Sequence, residues 1–141
     1  MNTVALLDVN VLLALAWPNH QHHGAAHAWF HREAGRGWAT CALTQLGFIR
    51  LSSNPAYTSA PATPREAAAL LGQLTAHRAH HYWAALAEPA SLGFARALGH
   101  QQVVDAYLVS VAERHRGRLV TFDRRVSVHA NTPAAVQVIE G

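Results

Sequence analysis

The sequence predicts an α/β fold in three layers, with helices on both faces of a central parallel sheet of four to five strands. Short apolar runs alternate with segments whose apolar residues recur at helical spacing, as in chains built from strand–helix–strand units. Strands of such a sheet are buried on both faces, and they therefore consist mostly of apolar residues. Since no linker or repeat interrupts the pattern, we expect one domain over residues 1–141.

Five segments are predicted to be strands. Tyr82 and Trp83 mark the third, because aromatic residues favour strands. The predicted strands are Val4–Leu7, Trp38–Thr40, His81–Leu86, Arg118–Phe122 and Ala135–Ile139.

Six segments between these strands are predicted to be helices. Thr63 and Glu66 form a capping-box pattern around Pro64, which fixes the start of one helix. In the helix before it, we expect Leu46 and Ile49 to face the core, with Phe48 as a further candidate. The predicted helices are Asn10–Trp17, His22–Arg36, Leu43–Ser53, Pro64–Ala79, Ser91–Leu98 and His100–His115.

Composition excludes several classes of protein. Half of the 141 residues are apolar and 13% are charged, which is typical of a globular domain and not of a disordered chain. The single Cys41 cannot form an intramolecular disulfide, and we expect it to be a small buried residue. Asp8 and Asn10 interrupt the apolar stretch at the amino terminus, which argues against a signal peptide or membrane span and favours a cytoplasmic protein.

All 11 basic residues counted as Lys or Arg are arginines. Five of them lie within twelve residues that also contain Asp123, and guanidinium groups suit bidentate contacts with phosphate. A polyanionic substrate and a solvated arginine-rich face explain this cluster equally well. Its members are Arg114, Arg116, Arg118, Arg124 and Arg125.

The chain contains only three aspartates. Asp8 and Asp123 each follow a predicted strand, and Asp105 lies in a predicted helix. The carboxyl ends of parallel strands form the crevice where α/β proteins bind ligands, so these acids predict a metal site. The structural alternatives are a helix cap for Asp8, a solvated helix position for Asp105 and a turn residue for Asp123.

Carboxylate oxygens are hard ligands that favour Mg²⁺, with Mn²⁺ as an alternative. Asn10 and Thr121 are candidates to hydrogen-bond the carboxylates, or else are an ordinary cap and strand residue. Arg124 directly follows the third acid and could contact phosphate.

His23, His27 and His31 share one helical face and could bind zinc. We favour instead a polar outer face on a helix whose Ala26, Trp29 and Phe30 pack inward.

Four segments carry a resemblance to a known family. They begin with Leu6–Leu12 around Asp8 and continue with Leu43–Pro55 in the middle of the chain. Val104–Leu108 around Asp105 and Leu119–Arg124 around Asp123 complete the set. In this order they resemble PIN-domain ribonucleases and, more narrowly, the VapC toxins of bacterial VapBC toxin–antitoxin modules.

The resemblance implies a PIN-like fold and a Mg²⁺-dependent endoribonuclease that acts as a type II toxin. Asp8, Asp105 and Asp123 would be its metal ligands, directly or through water. It also implies an RNA substrate, a VapB-like antitoxin as partner and a homodimer, for which the apolar Leu70, Leu71 and Leu74 suggest a surface.

Gln45 departs from the family pattern, which places a glutamate at this position of the middle motif. An amide can orient a water molecule, but it supplies neither a negative charge nor a base. The alternative function is therefore a catalytically weak or inactive PIN-fold protein that binds RNA or antitoxin. A phosphatase or receiver domain is disfavoured, since those families pair a lysine with the phosphoryl group and this chain has none.

Overall fold

The computed structural model describes residues 3–141, which form a five-stranded sheet with every strand pairing parallel. The strand order is β3-β2-β1-β4-β5, so β1 lies at the centre between β2 and β4. The strands are β1 (Ala5–Leu7), β2 (Trp38–Cys41), β3 (His80–Trp83), β4 (Arg118–Thr121) and β5 (Val136–Val138). The predicted parallel sheet is confirmed, at the upper end of the predicted strand number.

Five α-helices connect these strands, and short 3-10 helices occur in several of the remaining connections. The helices are α1 (Val9–Ala16), α2 (His23–Glu33), α3 (Ala42–Ser52), α4 (Pro64–Thr75) and α5 (Val103–Arg114). The 3-10 turns are Ala34–Arg36, Pro89–Ser91, His100–Gln102, Arg124–His129 and Pro133–Ala135. The capping box is present: Glu66 N–H donates to Thr63 Oγ1 over 3.1 Å, and Thr63 N–H donates to Glu66 Oε1 over 2.8 Å.

Each face of the sheet carries its own buried core, which gives the three layers predicted from the sequence. Ala5 and Leu7 pack on one face with residues of α1, α2, α3 and α4. Leu6 points to the other face and packs with α5 residues such as Leu108. This alternation follows from the two-residue period of a strand and explains why all of β1 is buried. Cys41 is buried on the α5 side, as expected.

The predicted helix Ser91–Leu98 is wrong. One 3-10 turn at Pro89–Ser91 is followed by irregular chain, in which Phe94 has a φ of +51° that no right-handed helix accommodates. Arg96 instead donates hydrogen bonds to the carbonyls of His129 and Ala130. These contacts hold the irregular segment against residues 129–130.

Helix α4 ends at Thr75, earlier than the predicted Ala79, because the following residues form a turn around His77. The His77 ring accepts hydrogen bonds from Ala79 N–H and from the Trp38 indole.

The predicted orientation of α3 is also wrong for Leu46, which is 66% exposed, whereas Phe48 is fully buried. Thr44, Phe48 and Ser52 form the buried face at four-residue spacing, and this spacing leaves Leu46 on the opposite side.

No helix within residues 3–141 is both long enough and apolar enough to cross a membrane.

Candidate metal centre

Asp8 lies at the junction of the two central strands of the sheet. Leu7 pairs with Val120, and the Asp8 N–H donates to the Val120 carbonyl over 2.9 Å. This register places the residue after β1 beside the last residue of β4. The Asp8 side chain is directed into the fold and the residue is only 8% exposed.

Two hydrogen bonds hold the Asp8 carboxylate. Oδ1 accepts from the N–H of Val9 over 2.8 Å, which caps α1. Oδ2 accepts from the Thr121 hydroxyl over 2.8 Å. The cap that was the structural alternative for Asp8 is therefore present, but it uses only one of the two carboxylate oxygens.

Thr121 connects the polar residues of this junction. Its Oγ1 donates to Asp8 and accepts hydrogen bonds from Asn10 Nδ2 over 3.2 Å and from Asp123 N–H over 3.1 Å. Asn10 contacts the carboxylate only through this hydroxyl, and its Oδ1 accepts from Phe122 N–H over 3.4 Å. Thr121 and Asn10 thus fix the backbone that leads from β4 to Asp123.

Burial raises the pKa of the Asp8 carboxyl to about 6, against the lowering effect of its hydrogen bonds with Thr121 and Val9. The negative charges of Asp105 and Asp123 raise it further. Burial likewise raises the pKa of Asp105, with the charge of Asp123 as the next cause, while His129 and Arg125 oppose the shift. The three aspartates therefore lie close enough to repel one another.

The pKa of Asp123 is lowered instead, because an arginine pairs with its carboxylate. Arg125 donates to Asp123 through its backbone N–H over 2.9 Å and through Nε and Nη2, each over 3.1 Å. The side-chain hydrogen bond from Arg125 is the main cause of a lowered Asp123 pKa. The turn role considered for Asp123 is also present, since the residue caps the 3-10 turn Arg124–His129.

The donor set fits a hard divalent cation. The carboxylates of Asp8 and Asp105 are partly removed from water, so their negative charge is unfavourable in the folded protein. A bound cation would neutralise that charge, and carboxylate oxygens are ligands that hard cations prefer. Among residues 3–141, however, no three His, Cys, Asp or Glu side chains stand together at metal-binding distance. Cation binding at all three acids would therefore require their side chains to move closer together, and Arg125 would compete with the cation for Asp123.

Gln45 lies in the first turn of α3, directly after β2, and α3 packs closely against the start of α1. A Cβ atom on Gly47 would lie 2.7 Å from Val9 Cγ2, so the absence of a side chain permits this approach. Gln45 contacts none of the three aspartates through the hydrogen bonds of the described residues. Its Nε2 donates instead to Thr40 Oγ1 over 3.0 Å, and that oxygen lies 2.7 Å from His80 Nε2.

Sequence reasoning missed Thr40 and His80. Thr40 is the third residue of a buried strand and His80 the first residue of another, and their contact depends on the pairing of β2 with β3. No local pattern marks such a contact across forty residues of chain.

The arginine cluster does not form one surface. Arg118 is buried at the start of β4, where its Nη2 lies 2.9 Å from Glu33 Oε1. Arg114 and Arg116 precede that strand, whereas Arg124 and Arg125 follow it, about 13 Å away along the four-residue strand. Arg124 donates to Glu140 over 2.6 Å in an exposed ion pair. Only Arg124 and Arg125 therefore lie at the end of the sheet that carries the aspartates.

The polar outer face that we favoured for the α2 histidines over zinc binding is present only in part, because His27 and His31 are exposed but His23 is half-buried, and both His23 and His27 contact α1. His23 Nδ1 lies 2.7 Å from the Ala14 carbonyl, and His27 Nε2 lies 2.8 Å from the Leu15 carbonyl. These contacts satisfy carbonyls at the end of α1, which have no partner within their own helix. Ala26 and Trp29 are buried and Phe30 packs against the same core, as predicted.

Residues 5–131 match the model of the PIN domain family, and the chain belongs to that family. Its relatives include ribonucleases of Mycobacterium tuberculosis that are named as VapC proteins. Ribonuclease VapC39 is 42% identical over 131 residues, which cover 90% of this chain and 94% of the relative. Ribonuclease VapC44 is 42% identical over 94% of this chain and 95% of its own length, and Ribonuclease VapC38 is 43% identical over 87% of each. The resemblance drawn from the four motifs is confirmed.

We predict that Asp8→Asn raises the stability of the metal-free protein at pH 7.5. The folded chain binds the Asp8 proton more tightly than the unfolded chain, so stability falls as the pH rises from about 4 to about 6. A pKa shift of this size lowers the free energy of unfolding by roughly 2–3 kcal/mol above pH 7. An asparagine removes that cost and can still cap α1. Thermal unfolding in EDTA should show a higher midpoint for the variant at pH 7.5 and a smaller difference at pH 5. An equal or lower midpoint at pH 7.5 would contradict the prediction.

Proposed function

We infer that this protein is the toxin of a type II toxin–antitoxin system and an endoribonuclease that hydrolyses RNA phosphodiester bonds. The observation that carries this conclusion is that Asp8 and Asp123 follow the neighbouring strands β1 and β4, while Asp105 of α5 lies near enough for its charge to raise the pKa of Asp8, in a chain that belongs with the VapC ribonucleases. Acids gathered at the carboxyl ends of parallel strands suit phosphoryl chemistry that depends on a divalent cation.

The cofactor that we propose is Mg²⁺, with Mn²⁺ as a substitute, held by Asp8, Asp105 and Asp123. When bound, the metal supplies charge neutralisation at the scissile phosphate and lowers the pKa of a coordinated water molecule. The chain itself would hold the Asp8 carboxylate in place through Thr121 and Val9. Asn10 would fix Thr121, and Arg124 and Arg125 would contact the RNA backbone once their present acidic partners are displaced.

A second candidate function rests on Gln45. Because an amide replaces the carboxylate typical of this position, the site has three negative charges in place of four. A PIN-fold protein that binds RNA or antitoxin without cleaving it would have the same architecture. The two functions differ in a direct cleavage assay, and we favour the nuclease because the charged part of the site is intact.

RNA cleavage should require Mg²⁺ or Mn²⁺ and stop on chelation with EDTA. Asp105→Asn and Asp123→Asn should each lower the cleavage rate by roughly two orders of magnitude, about 3 kcal/mol in barrier, because each removes a negative ligand. Glu88→Gln is the matched control, since it neutralises an exposed acid that takes part in none of the ion pairs of residues 3–141. Circular dichroism would verify folding of each variant.

Activity that survives EDTA would exclude the metal mechanism. A loss of only a few-fold in both aspartate variants would mean that the acids are misassigned.

We propose that an antitoxin of the VapB type binds a groove of about 510 Å³ beside α1. Its lining includes Leu13, Trp17 and Pro18 at the end of α1 and Tyr57 from the loop after α3. An apolar helical segment is the partner that such a groove fits. Helix α1 extends about 12 Å from Asp8 to this groove, so the chain leaving the bound helix could place a cation beside Asp8 and Asp123.

Tyr57→Ser should weaken antitoxin binding about tenfold or more while leaving toxicity intact, because an aromatic side chain in a groove contributes heavily to binding. Tyr82→Ser is a matched control, since the two tyrosines are 47% and 51% exposed and Tyr82 lies on the edge strand β3. Binding would be measured by calorimetry and toxicity by growth arrest on expression. Equal antitoxin affinity for both variants would place the binding site elsewhere.

We also propose a homodimer whose two sites face one positively charged groove. The residues that first suggested a surface do not support it, because Leu71 is buried and Leu70 and Leu74 pack against the core. Exposed apolar side chains occur instead at Leu46, Leu98, Val103 and Val104. These lie in α3, before α5 and in the first turn of α5, close in sequence to Gln45 and Asp105.

Light scattering at micromolar concentration should give the mass of a dimer for the parent. Val104→Glu should give a monomer, because it buries a charge in the proposed interface. Val128→Glu, at another exposed valine, should remain a dimer. A monomeric parent would contradict the proposal.

The domain organisation and location complete the proposal. We propose that residues 1–141 form a single PIN domain, supported by cores that extend over both faces of one sheet. We further propose that the protein acts in the cytoplasm, where cellular RNA and a newly made antitoxin are available to it.

A further inference from the structure

A pocket of about 280 Å³ lies beside α5 and is distinct from the groove beside α1. Three of its lining residues share one face of α5 at helical spacing: Ala106, Ser110 and Glu113. The others are residues 92–96, 129 and 131. Ala106 directly follows Asp105, so the Cα atoms of these two residues are about 3.8 Å apart. One edge of the pocket therefore lies next to a residue of the candidate metal centre.

His129 is a buried polar residue of this pocket. It is only 9% exposed, and its ring takes part in none of the hydrogen bonds of residues 3–141. In the same part of the chain, Trp29 Nε1 is the only side-chain nitrogen or oxygen that is both shielded from solvent and without a hydrogen bond. Solvent therefore reaches the His129 ring nitrogens, and the pocket is the opening beside them. Such an imidazole can form a hydrogen bond with a molecule in the pocket.

Arg96 presents an open edge of its guanidinium group to the same pocket. Its Nη1 donates to the carbonyls of His129 over 3.5 Å and Ala130 over 3.3 Å, and to Asn131 Oδ1 over 3.2 Å. These contacts hold the group at the pocket, which Arg96 lines. Its Nε and Nη2 make no hydrogen bond within residues 3–141. Two parallel donors are therefore available for a bidentate contact with a pair of acceptors.

Glu113 adds an acidic group to the lining. Its carboxylate accepts from the Asn131 N–H over 2.7 Å and from Asn131 Nδ2 over 3.0 Å. Each carboxylate oxygen has a further lone pair with which it can accept another hydrogen bond. A carboxylate disfavours a phosphate group in the pocket, whereas Arg96 disfavours a cation. The ligand that suits both residues is a neutral group with acceptors on one edge and donors on another.

Leu92 and Phe94 supply the apolar part of the pocket, and both pack against the core on the α5 side. Phe94 has a φ of +51°, a left-handed backbone that is uncommon for an aromatic residue and occurs often at ligand-binding sites. The volume is just below that of drug-sized sites, which suits a single planar ring system. Unpaired RNA bases bind to proteins in this way, against apolar side chains and with hydrogen bonds to their edges.

We propose that this pocket binds one unpaired guanine of the RNA substrate close to the cleaved bond, with Arg96 and Glu113 as specificity-determining residues. Guanine carries the adjacent acceptors N7 and O6, which match the open edge of Arg96, and the amino donor N2, which matches Glu113. Adenine has an amino donor in place of O6, which would face the donors of Arg96. The link to cleavage rests on the proposed nuclease function.

An NMR titration with GMP tests the pocket without any cleavage. EDTA is present so that no metal ion joins the nucleotide phosphate to the aspartates. GMP at millimolar concentration should shift the signals of the His129 ring and the Ser110 amide. AMP and CMP should bind about tenfold more weakly, because each loses a bidentate contact. Inorganic phosphate should leave both signals unchanged. Absence of these shifts with GMP, equal affinity for GMP and AMP, or equal shifts with inorganic phosphate would overturn the proposal.

Arg96→Lys tests the bidentate contact, since lysine keeps the positive charge but has no planar fork. The variant should bind GMP about tenfold more weakly than the parent and should bind AMP as weakly as the parent does. Arg65→Lys is the matched control, at an exposed arginine in the first turn of α4 that does not line the pocket. Undiminished GMP affinity in Arg96→Lys would overturn the assignment of Arg96. If that variant fails to fold, the titrations of the parent still decide the proposal.

Sequencing of RNA ends tests the link to cleavage. The parent should cut a random single-stranded RNA with guanosine preferred at one fixed position near the cut. Arg96→Lys should cleave with that preference reduced about tenfold, and Arg65→Lys should retain it. Cleavage by the parent without a guanosine preference would overturn the role of the pocket in substrate choice. A parent that cleaves no RNA contradicts the proposed nuclease function, while the GMP titration still decides whether the pocket binds guanine.

Discussion

The burial of the Asp8 carboxylate between β1 and β4 is the constraint on which the rest of the site depends. The two strands are neighbours at the centre of the sheet, and their register places Thr121 within hydrogen-bonding distance of the carboxylate. The other carboxylate oxygen begins α1. A central strand, an adjacent strand and a helix therefore converge on one charged group. That group is too buried to be well hydrated, and its raised pKa follows directly from this burial.

The negative charges of the three aspartates are compensated to different degrees. Asp8 and Asp105 keep their charges partly uncompensated, and burial together with mutual repulsion raises the pKa of each. Asp123, which is more exposed, is neutralised by Arg125. The three acids therefore combine two carboxyls whose charge is partly uncompensated with one that is held in an ion pair. A divalent cation bound as we propose would compete with Arg125 for Asp123.

Gln45 lies on the helix that packs against the start of α1. Helix α3 approaches α1 closely because Gly47 has no side chain. The Gln45 amide donates to the Thr40 hydroxyl, which is buried in β2 and also contacts the His80 ring. An amide at residue 45 adds no fourth carboxylate to a fold that already raises the pKa of two.

The sequence by itself determined the parallel sheet, the positions of most helices, the capping box at Thr63 and the four family motifs. These depend on local periodicity, on turn residues and on the order of motifs along the chain, all of which can be read without coordinates. It also identified Asp8, Thr121 and Asp123, because residues that end parallel strands meet at one edge of the sheet. It failed at Ser91–Leu98 and at Leu46, where tertiary contacts outweighed a weak local pattern.

Only the tertiary structure decided which charges are compensated. Arg118 pairs with Glu33 and Arg125 pairs with Asp123. Two arginines of the cluster at residues 114–125 therefore form ion pairs at opposite ends of β4. The link from Gln45 through Thr40 to His80 likewise exists only because β2 pairs with β3. The direction of a hydrogen bond and the pKa of a carboxyl depend on distance and burial in space, and neither quantity is encoded in the spacing of residues along the chain.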